Sequence, residues 1–182
     1  LLFSRLQDAC LIGLLLIMGF YHIGLFIQRN EDTPSLLFAS VCFVIAFRQI
    51  VSGKFLQIFF YEPSYSSWIL FKRLEYITMF LTTSLFHGFI VVLIPGGWIM
   101  KVLKVNIWAT LIFFLATVLT EPETFGKLLT YYQLLIVVFI GSCVAHLVQK
   151  AAEGSQAANY SLLGFIPFVA SIINDILAKL EL

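Results

Sequence analysis

The amino-acid sequence predicts an all-α fold, a polytopic bundle of transmembrane helices. Only 12% of its 182 residues are charged and its mean hydropathy is +0.98, whereas a soluble globular protein carries about 25% charged residues. The stretch 76–100 contains no Asp, Glu, Lys or Arg. About 20 apolar residues, each rising about 1.5 Å in a helix, span a bilayer core about 30 Å thick. A stretch of this kind is therefore a membrane span.

Six windows of this kind follow one another along the chain. The predicted spans cover about residues 9–28, 35–51, 74–94, 102–120, 128–149 and 157–174. Proline and glycine mark their ends at Pro34, at 95–97 and at Pro122, because these residues interrupt helices. The connection 52–67 is longer and rich in aromatic residues, as is typical of a membrane–water boundary. It can form an interfacial helix or a re-entrant loop, and Pro167 is expected to kink the sixth span.

Composition also excludes several functions. The net charge is +1 and no basic patch is interleaved with aromatic residues, so we expect no nucleic-acid partner. Cys10, Cys42 and Cys143 all lie in apolar windows, which favours buried free thiols over metal ligands or disulfides. Because paired carboxylates, nucleophile–base pairs and phosphate loops are absent from the sequence, we expect no catalytic residues, no cofactor and no metal.

A few polar residues need a reason to lie in or near the spans, because a charge at the bilayer centre costs about 2.5–3.5 kcal/mol. Arg48, near the end of the second span, can snorkel to the head groups or contact a neighbouring helix. Lys72 and Glu75 have the spacing of a surface pair within one helix. We expect Arg73 and Glu75 to fix the start of the third span against a neighbour. The candidate interhelical polar contacts are Arg48, Arg73, Glu75, His87, Asn174 and Asp175.

Three histidines, His22, His87 and His146, lie in three different spans. They could form a metal or proton site. However, no two have the i,i+4 spacing and no carboxylate lies in mid-span, which favours neutral histidines bonded to neighbouring helices. Asn174 and Asp175 can cap or cross-link helix ends, although ordinary interfacial polarity also explains them.

The charges do not orient the bundle. On the side of the N-terminus they are Arg5, Lys54, Lys72, Arg73, Lys127 and Lys179, and on the other side Arg29, Lys101, Lys104 and Lys150. This small excess leans toward a cytoplasmic N-terminus. The chain begins with Leu1 inside an apolar run and has no basic n-region, so we expect a fragment of a longer protein.

Several short motifs, taken in order, resemble a known family. They are GFYHIGLF at 19–26, LLFA at 36–39, RLEY at 73–76, LTEP at 119–122 and INDIL at 173–177. This arrangement resembles the bacterial seven-transmembrane receptors with diverse intracellular signalling modules, over nearly the whole chain. The resemblance implies an extracytoplasmic N-terminal sensor domain, seven helices and a cytoplasmic output domain, in the inner membrane. A seventh span is therefore expected beyond residue 182.

The leading hypothesis is a signal-relay module without catalysis of its own. Its expected partners are the lipid bilayer, the sensor and output domains of the parent chain, and a second copy in a homodimer. The alternative is a small transporter or channel, against which stand the missing mid-span carboxylates and internal repeats. A membrane-embedded enzyme would need a clustered His/Asp/Glu site, which the sequence does not supply.

Overall fold

The computed structural model describes residues 2–29, 32–52 and 65–164, the side chains of residues 2–5 excepted. Its long helices are α1 (Leu2–Arg29), α2 (Thr33–Ser52), α3 (Tyr65–Leu93), α4 (Gly97–Leu119) and α5 (Pro122–Ala152). A sixth helix, α6, is described over residues 156–164. No strand occurs in these ranges, which confirms the predicted all-α class.

All five long helices have the length and composition of membrane spans. The shortest, α2, has 20 residues, which at about 1.5 Å each matches a bilayer core about 30 Å thick. Short turns join α3 to α4 and α4 to α5, so these neighbours run in opposite directions. Phe38, near the start of α2, packs against His22 in the second half of α1 and against Phe89 near the end of α3, so α2 is antiparallel to both. The end of α2, the start of α3, the end of α4 and the start of α5 thus lie on the side where α1 begins. We call this the N-terminal side and the opposite one the far side.

The five long helices begin earlier than their apolar windows. α1 begins at Leu2 rather than near residue 9, α3 at Tyr65 rather than near residue 74, α4 at Gly97 and α5 at Pro122. A helix can continue through charged residues where its terminal turns leave the hydrocarbon. The long charged side chains reach the head groups, and opposite charges form pairs along the helix. The charged collar at the third span therefore lies inside α3.

The bundle is organised around α3, which packs against α2, α4 and α5, while α1 packs against α2. A buried apolar cluster joins the far-side end of α3 to α5 and α6. It consists of Ile90, Ile94, Cys143, Leu147 and Ala158. The sixth helix therefore starts in the groove between α3 and α5.

Helix α4 buries few residues, and two of them are polar. The buried positions are Ile99, Asn106 and Thr117, whereas the large apolar side chains of Trp108 and Leu119 are 65% and 78% exposed. Lipid tails are as apolar as these side chains, so helix association in a membrane relies on packing and interhelical hydrogen bonds instead. The apolar face of α4 is its lipid face.

Some predictions fall outside the described residues. These are the second half of the sixth span with Pro167, the candidates Asn174 and Asp175, most of the aromatic connection, and the seventh span.

Candidate functional site: interhelical polar contacts and a cavity

Five polar side chains meet in mid-span between α3, α4 and α5, and we call them the polar core. They are Ser84, His87, Asn106, Thr110 and Tyr132. The amide oxygen of Asn106 lies 3.2 Å from the Ser84 hydroxyl and 3.4 Å from the Thr110 hydroxyl. Asn106 is fully buried, so these hydroxyls supply the donors that its carbonyl oxygen would otherwise lack.

The same amide determines the tautomer of a buried histidine. Asn106 Nδ2 lies 3.2 Å from His87 Nδ1, and an amide nitrogen can only donate. His87 Nδ1 therefore accepts, the ring is neutral, and Nε2 carries the hydrogen. His87 is 1% exposed, and its Nε2 has no hydrogen-bond partner among the described residues.

Tyr132 connects α5 to this cluster. Its hydroxyl lies 3.0 Å from Thr110 Oγ1 and donates to the backbone carbonyl of Phe80 at 3.2 Å. Its ring packs against Phe80 and Phe113, with centroid distances of 4.3 Å and 5.1 Å. The polar core thus joins α3 and α4 to α5 in one connected network.

A second contact joins the same helices on the N-terminal side. The Arg73 guanidinium donates to the backbone carbonyl of Thr120 at 3.0 Å and lies over the Phe125 ring, 5.8 Å from its centroid. Thr120 is the C-cap of α4, where carbonyl groups lack helical partners and the helix dipole favours a cation. Arg73 of α3 therefore supplies the hydrogen bond that a carbonyl group at the end of α4 would otherwise lack.

Glu75 has a different partner from Arg73. Its carboxylate accepts a hydrogen bond from Lys72 Nζ at 2.9 Å, within α3. In the described part of the chain, the structure brings Arg73 to α4 and α5 and leaves Glu75 in a pair on its own helix.

A third contact lies on the far side. His146 Nε2 of α5 donates to the carbonyl of Ile94, at 2.8 Å, just after α3. Gly96 lies so close that an added Cβ would collide with the His146 ring. Trp98 packs edge-on to His146 and donates to Gln149 Oε1 at 3.0 Å.

The turn after α5 closes this end of the bundle. Lys150 Nζ donates to the Glu153 carboxylate at 2.6 Å. This hydrogen bond from Lys150 lowers the pKa of Glu153. The pair is exposed and lies outside the spans, so it marks the head-group region rather than the bundle core.

A cavity of about 740 Å³ lies between α1, α2, α3 and α5, and Arg48 lines it. Its lining is polar toward the N-terminal side, with Arg48 and Gln49 from α2 and Gln133 from α5. Further in it is mostly apolar, with Phe38 and Cys143, although His87 also lines it there. Arg48 is partly buried, so its side chain lies in the cavity wall as well as within reach of the head groups.

The three histidines occupy separate surroundings. His22 of α1 packs against Phe38 of α2, with 4.5 Å between ring centroids, while His87 lies in the polar core and His146 on the far side. Within the described residues, no three His, Cys, Asp or Glu side chains form a group that could hold a metal ion.

Sequence reasoning missed most of the polar core. Of its members only His87 is among the candidates, while Asn106, Thr110 and Tyr132 are not. A signal was present, because Asn106, Thr110 and Thr117 recur on one face of α4 within the otherwise apolar stretch 105–119. Polar residues on one face of a span indicate a helix interface.

The fold and these contacts define a multi-pass helical membrane protein whose buried polar side chains hold its helices together. The family model described as 7TM diverse intracellular signalling matches residues 4–182, and the chain belongs to this family. This confirms the resemblance and makes the chain a transmembrane module of signalling receptors. No curated protein and no solved structure matches it.

Proposed function

We propose that the chain is the signal-relay module of a bacterial inner-membrane receptor and couples an extracytoplasmic sensor to a cytoplasmic signalling output. The observation that carries the proposal is the set of polar contacts that join α3 to α4 and α5. They occur near both ends and in the middle of the bundle, at Arg73–Thr120, in the polar core and at His146–Ile94. Helices held at three depths move together.

The helices α1 and α2 are joined differently. Phe20 meets Phe43 with ring centroids 5.2 Å apart, and Phe38 of α2 meets Phe89 of α3 at 5.5 Å. Lipid tails can replace such apolar contacts, whereas a buried hydrogen bond between helices contributes about 0.6 kcal/mol on average and up to about 1.7. Sliding of α1 and α2 against α3–α5 would leave the named hydrogen bonds among α3, α4 and α5 intact, and such small helix shifts carry signals in receptors.

The relay requires a defined orientation, and the family resemblance supports an extracytoplasmic N-terminus. Reporter fusions at Asn30 and Gly154 should then be active in the cytoplasm, and a fusion at Ser64 should be active outside. The Gly154 fusion tests the same side as Asn30 after four more crossings. The reverse pattern at all three sites would overturn the proposed coupling direction.

A small transporter or channel is the second candidate, and the cavity is the feature that bears on it. A transport path needs polar groups along its whole length. The cavity is lined by Arg48, Gln49 and Gln133 toward one side, and by Phe38, Phe86 and His87 toward the other. Among the described residues, Arg48 is its one charged lining side chain and no carboxylate lines it, which supports the relay over transport.

The proposal also covers catalysis and partners. The relay has no reaction of its own, and its partners are the bilayer, the sensor and output domains of the parent chain, and a second copy in a homodimer. The family's role as a signalling module supports this set of partners. If the purified protein remains a monomer in lipid nanodiscs, the proposed homodimer is wrong.

A further inference from the structure

The cavity has the size and length of a binding site for a chain-like molecule. Its volume of about 740 Å³ lies within the range of about 300–1,000 Å³ for small-molecule sites. Its lining on α2 extends from Phe38 to Ser52, which is about 21 Å at about 1.5 Å per residue. This exceeds one leaflet of a hydrocarbon core about 30 Å thick.

The two ends of the cavity differ in chemistry. Arg48 contributes a positive charge at the N-terminal-side end, next to Gln49 and near Ser52. The ion pairs formed in the described residues are Arg29–Asp32, Lys72–Glu75 and Lys150–Glu153, so Arg48 has no carboxylate partner within them. A cation inside a span is costly without a compensating anion.

The other end of the cavity suits a hydrocarbon chain. Phe38 and Phe86 line it together with Ile140 and the buried thiol of Cys143, and His87 is the polar side chain among them. A ligand that satisfies both ends has an anionic head and an apolar tail.

We propose that this cavity binds a long-chain fatty acid, with its carboxylate on Arg48 and its chain between α2, α3 and α5. The planar guanidinium matches a carboxylate with two parallel hydrogen bonds. Arg48 lies one helical turn inside Ser52, about 6 Å from the end of α2. The cavity has a single apolar end beyond Arg48, which matches the one hydrocarbon chain of a fatty acid rather than the two of a phospholipid.

The test uses the full chain in lipid nanodiscs and a palmitic acid that carries a photoreactive diazirine in its chain. After irradiation, mass spectrometry identifies the labelled peptides. We expect label on the cavity-lining parts of α2, α3 and α5. In Arg48→Gln this labelling should fall roughly tenfold, the loss typical of a charge-assisted hydrogen bond. Arg29→Gln is the matched control, because Arg29 lies at the far-side end of α1 with its side chain 67% exposed, and it should keep full labelling.

Two further measurements keep the proposal testable if Arg48→Gln folds poorly. Ile45→Trp fills the cavity without removing the charge and should also abolish the label. Unlabelled palmitic acid should compete in the native chain, and its uncharged methyl ester should not.

Several outcomes would overturn the proposal. Equal labelling of Arg48→Gln and Arg29→Gln would show that the positive charge of Arg48 does not bind the carboxylate. Label spread over the lipid face of α4 would indicate membrane partitioning only. Competition by phosphatidylglycerol as strong as that by palmitic acid would assign the site to a phospholipid. Absence of label in the native chain would mean that the protein itself fills the cavity.

Discussion

Asn106 of α4 turns its amide nitrogen toward Nδ1 of His87 in α3, at 3.2 Å. The amide oxygen faces the opposite way, toward the hydroxyls of Ser84 and Thr110. One side chain thus satisfies a donor and an acceptor requirement between two helices in the middle of the membrane. Removing it leaves the buried Nδ1 of His87 without this partner, whereas the hydroxyls of Ser84 and Thr110 keep each other at 2.6 Å.

Replacing Asn106 with Leu should destabilise the bundle by about 1–2 kcal/mol, because the buried Nδ1 of His87 loses its hydrogen bond from Asn106 where water cannot replace it. Reversible unfolding in mixed micelles measures the loss. Ile107→Leu is the control, since Ile107 is 51% exposed, and it should unfold like the native chain. Equal stability of the two variants would contradict a structural role for the polar core.

Gly96→Ala should lower stability by about 1–3 kcal/mol, the usual cost of overpacking. The added methyl collides with His146, whose ring is held by its hydrogen bond to Ile94. The ring must move and lose that bond. Gly97→Ala is a matched control one residue away, because a Cβ there meets nothing within 4 Å. If both variants unfold alike, the contact on the far side is not rigid.

Arg73→Gln should destabilise the protein more than Glu75→Gln. Arg73 reaches the end of α4, whereas Glu75 is paired with Lys72 at partly exposed positions, and such a pair contributes about 0.3–0.5 kcal/mol. A double-mutant cycle should give coupling between Lys72 and Glu75 and none between Arg73 and Glu75. Rescue of the Arg73 variant by a charge-reversing change at Glu75 would refute this assignment.

Phe38→Leu should change the basal output of the full-length receptor several-fold while the protein still folds. Phe38 contacts both His22 of α1 and Phe89 of α3, so its loss loosens the joint at which the relay is proposed to slide. Phe114→Leu, on the lipid face of α4, is the control and should leave the output unchanged. An unaltered output in both variants would argue against movement at this joint.

The fold class was predictable because its cause is local. A span needs about 20 apolar residues in sequence, and 76–94 has this property whatever its neighbours are. The helix starts at Tyr65, Gly97 and Pro122 were less predictable, since hydropathy marks where the hydrocarbon ends and not where the helix does. Hydrogen bonding and pairing outside the hydrocarbon extend each helix beyond its window.

Sequence alone determined that this chain crosses the membrane several times and to which family it is similar, because both depend on residue order along the chain. Only the tertiary structure decided the partners of its polar residues. Arg73 and Glu75 are two positions apart, yet one bonds to α4 and the other to its own helix. Asn106 becomes the central residue of the polar core only when α3 and α5 pack on α4, since a hydrogen bond between helices depends on their rotation and depth.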